Sequence, residues 1–204
     1  MFRFLILSLF LFLNLECYSQ LLPSIHGAIT KKKSTNTQSD AFDATTKGQY
    51  IVITNNNVTS SYPTPLHKWN SVYGSEGISS GIKEWELTID SYDESSSNTW
   101  ELLIGIAHSK NNPQKWFTLG CSGHGYISEL GAKTRIDNCG SPENYGSTYG
   151  EGDVIKIQLN MNNGELIFFK NGISQGVSRI VNTSLTWYLA ISIGNRATSV
   201  SLTG

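Results

Sequence analysis

Between Val154 and Val177 the chain reads VIKIQLNMNNGELIFFKNGISQGV, three runs of strand-forming residues divided by two tight turn signals. An Asn-Gly pair such as Asn171-Gly172 accepts the positive φ that a two-residue hairpin needs. In the first run Ile155, Ile157, Leu159 and Met161 recur at every second position, which places them on one face of a pleat. In the second run Leu166 and Phe168 point one way and Ile167 and Phe169 the other. Apolar residues on both faces predict a strand covered on both sides. A chain with this grammar folds as antiparallel β-structure or not at all.

The same grammar recurs from about Asp40 to the C-terminus. QYIVIT precedes an NNN turn, and IKEWELTID alternates, with Trp85, Leu87 and Ile89 inward and Glu84, Glu86, Thr88 and Asp90 outward. WELLIGIA places Trp100, Leu102, Ile104 and Ile106 on one face, and Leu103 with the small Gly105 and Ala107 on the other. KWFTLG follows a Pro-containing loop, and WYLAISI and TSVSL close the chain. No segment sustains a period of 3.6. Only 15% of residues are charged, whereas Gly, Ser, Thr and Asn abound, as many short strands and turns require. The expected fold is therefore an all-β, antiparallel two-sheet sandwich over residues 40–204. A net charge of −1 gives no electrostatic ground for a nucleic-acid or anionic-membrane partner.

The N-terminus reads differently. Arg3 is followed by an apolar run from Phe4 to Leu13 and then by polar residues, the layout of a secretory signal peptide over residues 1–19. The run is short for a membrane span. Residues 20–39, which include KKKSTNTQSD, read as a flexible linker. The expectation is a secreted or secretory-lumen chain with no stable membrane insertion after cleavage.

Cysteines and sequons fit that compartment. With Cys17 lost to the signal, Cys121 and Cys139 remain, equally far from Leu130 in a predicted hairpin, so they are expected to face each other as a disulfide. Asn57-Val58-Thr59 and Asn182-Thr183-Ser184 are glycosylation sequons. Two cysteines without CxxC spacing make a poor metal site, and neither a metal nor a cofactor is expected.

Catalytic chemistry has little to stand on. Glu86 and Asp90 share the polar face of one strand, as paired glycosidase carboxylates can, but alternate acids on a strand are ordinarily a wet face. His26, His67, His108 and His124 are scattered; His124 could approach Ser122, yet no acid completes a triad. Among the tryptophans, Trp85 and Trp100 are expected in the core, whereas Trp116 and Trp187 are equally readable as core or as exposed anchors.

The order of these segments resembles the SPRY domain, a concanavalin-like sandwich. SSGIKEWELTID, WELLIGIA, YGEGDVIKIQLNMNNGELIFFKNGISQGV and WYLAISI carry the likeness over roughly residues 40–204. Leu189 stands where the family usually has Pro, and no zinc domain or other partner module is expected beside the sandwich. The resemblance implies a non-enzymatic module that binds a protein or peptide through loops at one end. It points to Tyr62, Pro63, Thr64, Trp116, Gly194 and Asn195 as the partner-binding positions; Tyr62 occupies the place of a familiar basic residue. The alternative is a carbohydrate-binding lectin on the same sandwich, with a glycan stacked on exposed aromatic rings.

Overall fold

The computed structural model describes residues 40–62, 68–92, 101–128, 134–137, 143–194 and 197–204, of which 134–137 as backbone alone. These residues form strands β1 (Phe42–Lys47), β2 (Ile51–Thr54), β3 (Asn57–Ser60), β4 (Asn70–Ile78), β5 (Ile82–Ser91), β6 (Leu102–Ala107) and β7 (Gly123–Ile127). They continue with β8 (Thr134–Asp137), β9 (Val154–Asn160), β10 (Glu165–Lys170), β11 (Ile173–Ile180), β12 (Trp187–Ile193) and β13 (Ser199–Leu202). The strands make a six-stranded sheet, β1-β4-β12-β6-β7-β8, and a seven-stranded sheet, β11-β10-β9-β5-β13-β3-β2. Every ladder is antiparallel. The expected two-sheet architecture is thus observed. No helix among the described residues is long and apolar enough to cross a membrane.

The main core lies between the sheets and follows from alternation. Trp85, Leu87 and Ile89 of β5 and Ile155, Ile157 and Leu159 of β9 meet Leu102, Ile104 and Ile106 of β6 and Leu189, Ile191 and Ile193 of β12. Trp187 belongs to this core at 2% exposure, its Nε1 donating to the Asn182 carbonyl at 2.9 Å, so it is no surface anchor. Trp100 lies outside the described residues.

The expectation for β10 needs correction. Leu166 and Phe168 are buried, but Ile167 and Phe169 on the other face are only half-buried. Among the described residues no layer covers them: Ile167 faces the exposed Val177 across the ladder, and Lys156 of β9 places its ammonium 4.4 Å from the Phe169 ring centre. A cation over an aromatic face supplies part of the shelter that a second layer would give.

Two pieces of the GDVI…KNG stretch clasp each other. Asn171 has φ 49° and Gly172 φ 79°, the left-handed pair of a tight hairpin. The Asn171 side chain accepts from Val154 N–H at 2.8 Å and donates to Asp153 at 2.8 Å. Asp153 also accepts from Gly150 N–H at 2.9 Å and pairs with Lys170 at 3.0 Å. Burial alone would raise the Asp153 carboxyl, but these donors win and hold it below the ordinary carboxylate value. A carboxyl depressed in the folded state contributes stability that is present above its unfolded value and lost as pH falls through the folded one. Melting temperature should therefore fall as pH drops below about 4, and Asp153→Asn should lower the neutral-pH melt while flattening that acid limb. Thermal melts across pH check it; an equally steep limb in the variant would assign the acid sensitivity elsewhere.

Candidate partner-binding surface

Residues 108–122 form a strand-free loop whose anchor is Phe117. Phe117 is fully buried with Tyr73, Leu103, Ala107, Ile127 and Ala190 in a second, smaller core. Since Leu102, Ile104 and Ile106 face the main core, Leu103 and Ala107 must face the opposite side of the six-stranded sheet, so the loop crosses that outer face. Small residues open the slot. A Cβ on Gly123 would lie 2.7 Å from the Phe117 ring, and one on Gly125 2.9 Å from it, closer than real contacts allow. The GHG stretch is therefore a receptacle for an aromatic ring.

Polar contacts fix the loop to two strand ends. The Ser71 hydroxyl donates to the Lys115 carbonyl, Ser71 N–H donates to the Pro113 carbonyl at 2.8 Å, and Phe117 N–H donates to the Ser192 hydroxyl at 2.9 Å. Ser71 and Ser192 are cross-strand partners and share a 2.6 Å hydrogen bond. With Phe117 turned in, its neighbour Trp116 is turned out: it is 40% exposed and meets Trp69 edge-to-face at 6.0 Å. Leu119, 38% exposed, lies on the same turn, its N–H donating to the Trp116 carbonyl at 3.1 Å. Lys115–Gly120 is thus turn, not strand.

Asn70 organises the adjoining side. Buried at the start of β4, it donates from Nδ2 to the Tyr62 hydroxyl and to the Trp69 carbonyl, the latter at 2.8 Å, and accepts Tyr50 N–H at 3.3 Å. Gly48 lets it fit, since a Cβ there would come within 2.2 Å of the Asn70 amide. Tyr50 then stacks on Tyr62 at 4.7 Å. Nothing in the sequence singles out Asn70, because its role depends on residues brought from three segments.

The predicted positions stand as follows. Trp116 presents an exposed indole. Tyr62 is buried at 6% exposure, its ring against that of the half-buried Tyr50. Gly194 is buried, its N–H on the Glu101 carbonyl at 2.7 Å, and it follows Ile193, the partner of Asn70. These three converge on the sandwich end formed by the start of β4 and the end of β12, because Asn70 holds Tyr62 and Ser71 holds the Trp116 loop. Pro63, Thr64 and Asn195 lie outside the described residues, as does Cys139. Cys121 sits just before β7, where His124 pairs with Asp137 and Ile127 with Thr134. That register centres between residues 130 and 131, half a residue beyond the symmetry point at Leu130.

Among the described residues the acid and histidine positions do not assemble; His26 and His67 lie outside them. Asp90 accepts from Asn57 Nδ2 at 2.8 Å and from the Ser201 hydroxyl at 2.7 Å, a network of the outer sheet face. The Ser122 hydroxyl donates to the Phe117 and Leu119 carbonyls at 2.6 and 2.9 Å, committed to the loop and not to His124. His108 and His124 instead bracket the Trp187 ring at 5.3 and 5.4 Å. Among the described residues no group of three His, Cys, Asp or Glu is placed to hold a metal ion.

Within their own sequence the described segments of the surface carry lysines and no acid, while Asp43 of β1 reaches in to pair with Lys110 at 2.9 Å. Segments 46–50, 68–73, 108–122 and 190–194 contain Lys47, Lys68, Lys110 and Lys115 and no Asp or Glu. Burial pushes the Tyr62 hydroxyl well up and that of Tyr73 up to about 12, so both rings stay neutral.

The family model of the SPRY domain matches residues 83–204. The chain belongs to the SPRY domain family. SPRY domains are typically protein-interaction modules and generally non-catalytic. The dual specificity protein kinase splA of Dictyostelium discoideum is 26% identical over 136 residues, covering 64% of this chain and 5% of that protein. Among solved structures, the SPRY domain of human HERC1 superposes with a TM-score of 0.60 at 18% identity, over 79% of this chain and 96% of that one. The PSpry domain of TRIM65 gives 0.58 at 14% identity, over 81% and 92%. Stonustoxin gives 0.59 at 17% identity, over 80% of this chain and 28% of that one. These likenesses carry the SPRY fold.

Proposed function

We propose that this SPRY domain is a secreted, non-enzymatic module that captures a protein or peptide on the surface around Trp116 and Trp69. One observation carries the reading: Phe117 locks the loop from beneath while the adjacent Trp116 is left half in solvent against a second indole. A rigidly held, partly exposed tryptophan is what a binding hot spot requires. Pull-down from the extracellular fraction with wild type and Trp116→Ala tests it. Loss of the captured protein in the variant supports the surface; identical capture removes it. A glycan array run in parallel would favour a lectin if it alone gave Trp116-dependent signal.

Secretion rests on the Arg3-to-Ser19 layout. The mature chain should begin near Gln20 by N-terminal sequencing, and a cytosolic chain starting at Met1 would refute it. In that compartment Cys121 and Cys139 pair, and intact mass should rise by two hydrogens on reduction.

The two sequons should differ. Asn57 is half-buried, its Nδ2 donating to Asp90 and to the Ser199 hydroxyl, both at 2.8 Å, so a sugar there would remove donors from a network. Asn182 is exposed, and of its side chain the Oδ1 accepts from Ser184 N–H at 2.9 Å while no described residue accepts from its Nδ2. Glycopeptide mapping of secreted material should find Asn182 occupied and Asn57 bare; the reverse pattern would overturn this.

A further inference from the structure

We infer that the segment captured here is acidic, a stretch of protein chain carrying carboxylates on either side of an apolar residue. This rests on the reading that the Trp116–Trp69 surface binds a protein, and adds the charge of what it binds. The two tryptophans come from two Lys-Trp dipeptides far apart in sequence, Lys68-Trp69 and Lys115-Trp116. Folding brings their indoles into edge-to-face contact at 6.0 Å, so each ring of one aromatic patch has a lysine as its neighbour in sequence.

Those lysines differ from the rest. Among the described residues, Lys83 pairs with Asp40, Lys110 with Asp43, Lys156 with Glu84 and Lys170 with Asp153, while Lys47 donates to the Ile51 carbonyl. Lys68 and Lys115 are exposed, and among the described residues neither ammonium has an ion pair or hydrogen bond. No acid stands in the segments that build the surface, although acids outnumber bases over the chain, 16 to 15. At Lys68 and Lys115, beside the exposed apolar anchor, the positive charge therefore has no acid paired with it among the described residues. A complementary segment inserts an apolar side chain beside Trp116 and sets a carboxylate toward each lysine. Such charges act on selectivity and encounter rate more than on the contact itself, and salt weakens them.

The experiment pans a phage library of short random peptides against the full chain, in parallel with Trp116→Ala and with the double variant Lys68→Gln, Lys115→Gln. Both lysines are exposed, so the double variant should melt as wild type does. Wild type should enrich peptides with Asp or Glu around an apolar residue. The best of these, made synthetically, should bind about three- to tenfold more tightly than its Asn/Gln counterpart at low salt. The double variant should erase that ratio and leave the affinity for the Asn/Gln peptide unchanged, while Trp116→Ala should lose both peptides. Enrichment of neutral or basic peptides that still needs Trp116 would sink the acidic segment and leave the binding surface standing. Enrichment indifferent to Trp116 would sink both. An acid preference that survives loss of the two lysines would overturn the assignment, as would retention on heparin that needs the lysines but not Trp116, since that would give them to an anionic glycan.

Discussion

Phe117→Ala is expected to destabilise the domain by roughly 3–5 kcal/mol and to abolish partner capture, whereas Trp116→Ala, one residue away, should cost about 1 kcal/mol of stability and still weaken binding by about 2 kcal/mol or more. The contrast follows from which way each ring faces. Phe117 fills a slot between Gly123, Gly125 and Leu103, and its removal leaves a cavity that the sheet backbone beneath cannot close. It also releases the loop, so Trp116 loses its position although it is untouched. Trp116 has little to collapse into, being 40% exposed with Trp69 as its aromatic neighbour. Thermal or urea melts and titration with one captured partner separate the two. Equal destabilisation by both changes would mean that Trp116 is part of the core; a stable Phe117→Ala that still binds would mean that the loop is fixed by its Ser71 and Ser192 contacts alone.

Legibility in this sequence tracks how local the determinant is. The inward rows of β5 and β9 and the Asn171-Gly172 reversal are set by neighbours within a few residues, and alternation and turn chemistry give them directly. The small face of WELLIGIA is visible in the sequence too, but not what lies against it: the backbone of β7 crowds Gly105, and Phe117 arrives on a loop beside Ala107. Other features depend on partners far along the chain. Asn70 looks like any strand-end asparagine until Tyr62, Tyr50 and the Trp69 carbonyl surround it.

One expectation missed, and one even choice fell to the core, for a shared reason. Apolar residues on both faces of β10 suggested two covering layers, but Ile167 and Phe169 face outward beside the exposed Val177 and Ile180, with the Lys156 ammonium over the Phe169 ring. Trp187, readable as an anchor at a strand opening, is swallowed by the core with its indole N–H satisfied by the Asn182 carbonyl. Side-chain type reports hydrophobic content, and only the stacking of sheets and loops decides whether that content is covered. Trp116 and Trp187 have similar sequence surroundings and opposite fates because a loop carries one over the sheet while a strand carries the other under it.

Gly105→Ala should be the most damaging small substitution in the six-stranded sheet. Gly105 sits mid-strand, paired with Ala190 on one side and Gly125 on the other. An added Cβ would lie 2.1 Å from the His124 carbonyl oxygen and 2.7 Å from the Gly125 Cα. Both are backbone atoms of β7, so no rotamer change can make room. Relief requires β7 to move away from β6, which strains the ladder and widens the floor on which Phe117 rests. Overpacking against movable side chains costs about 1–3 kcal/mol, and a clash with a ladder belongs at or above the top of that range, about 3 kcal/mol or more. Gly74→Ala is the matched control: its Cβ would meet the Leu189 Cβ at 3.1 Å, a contact that a few tenths of an ångström relieve, so its melt should stay near wild type. A Gly105→Ala variant that falls should also lose its Trp116-dependent binding at temperatures where it remains folded, because the loop's seat is displaced with β7. Equal melts for the two glycine variants would show that β6 and β7 separate freely, and the rigid floor beneath the Trp116 loop would have to be abandoned.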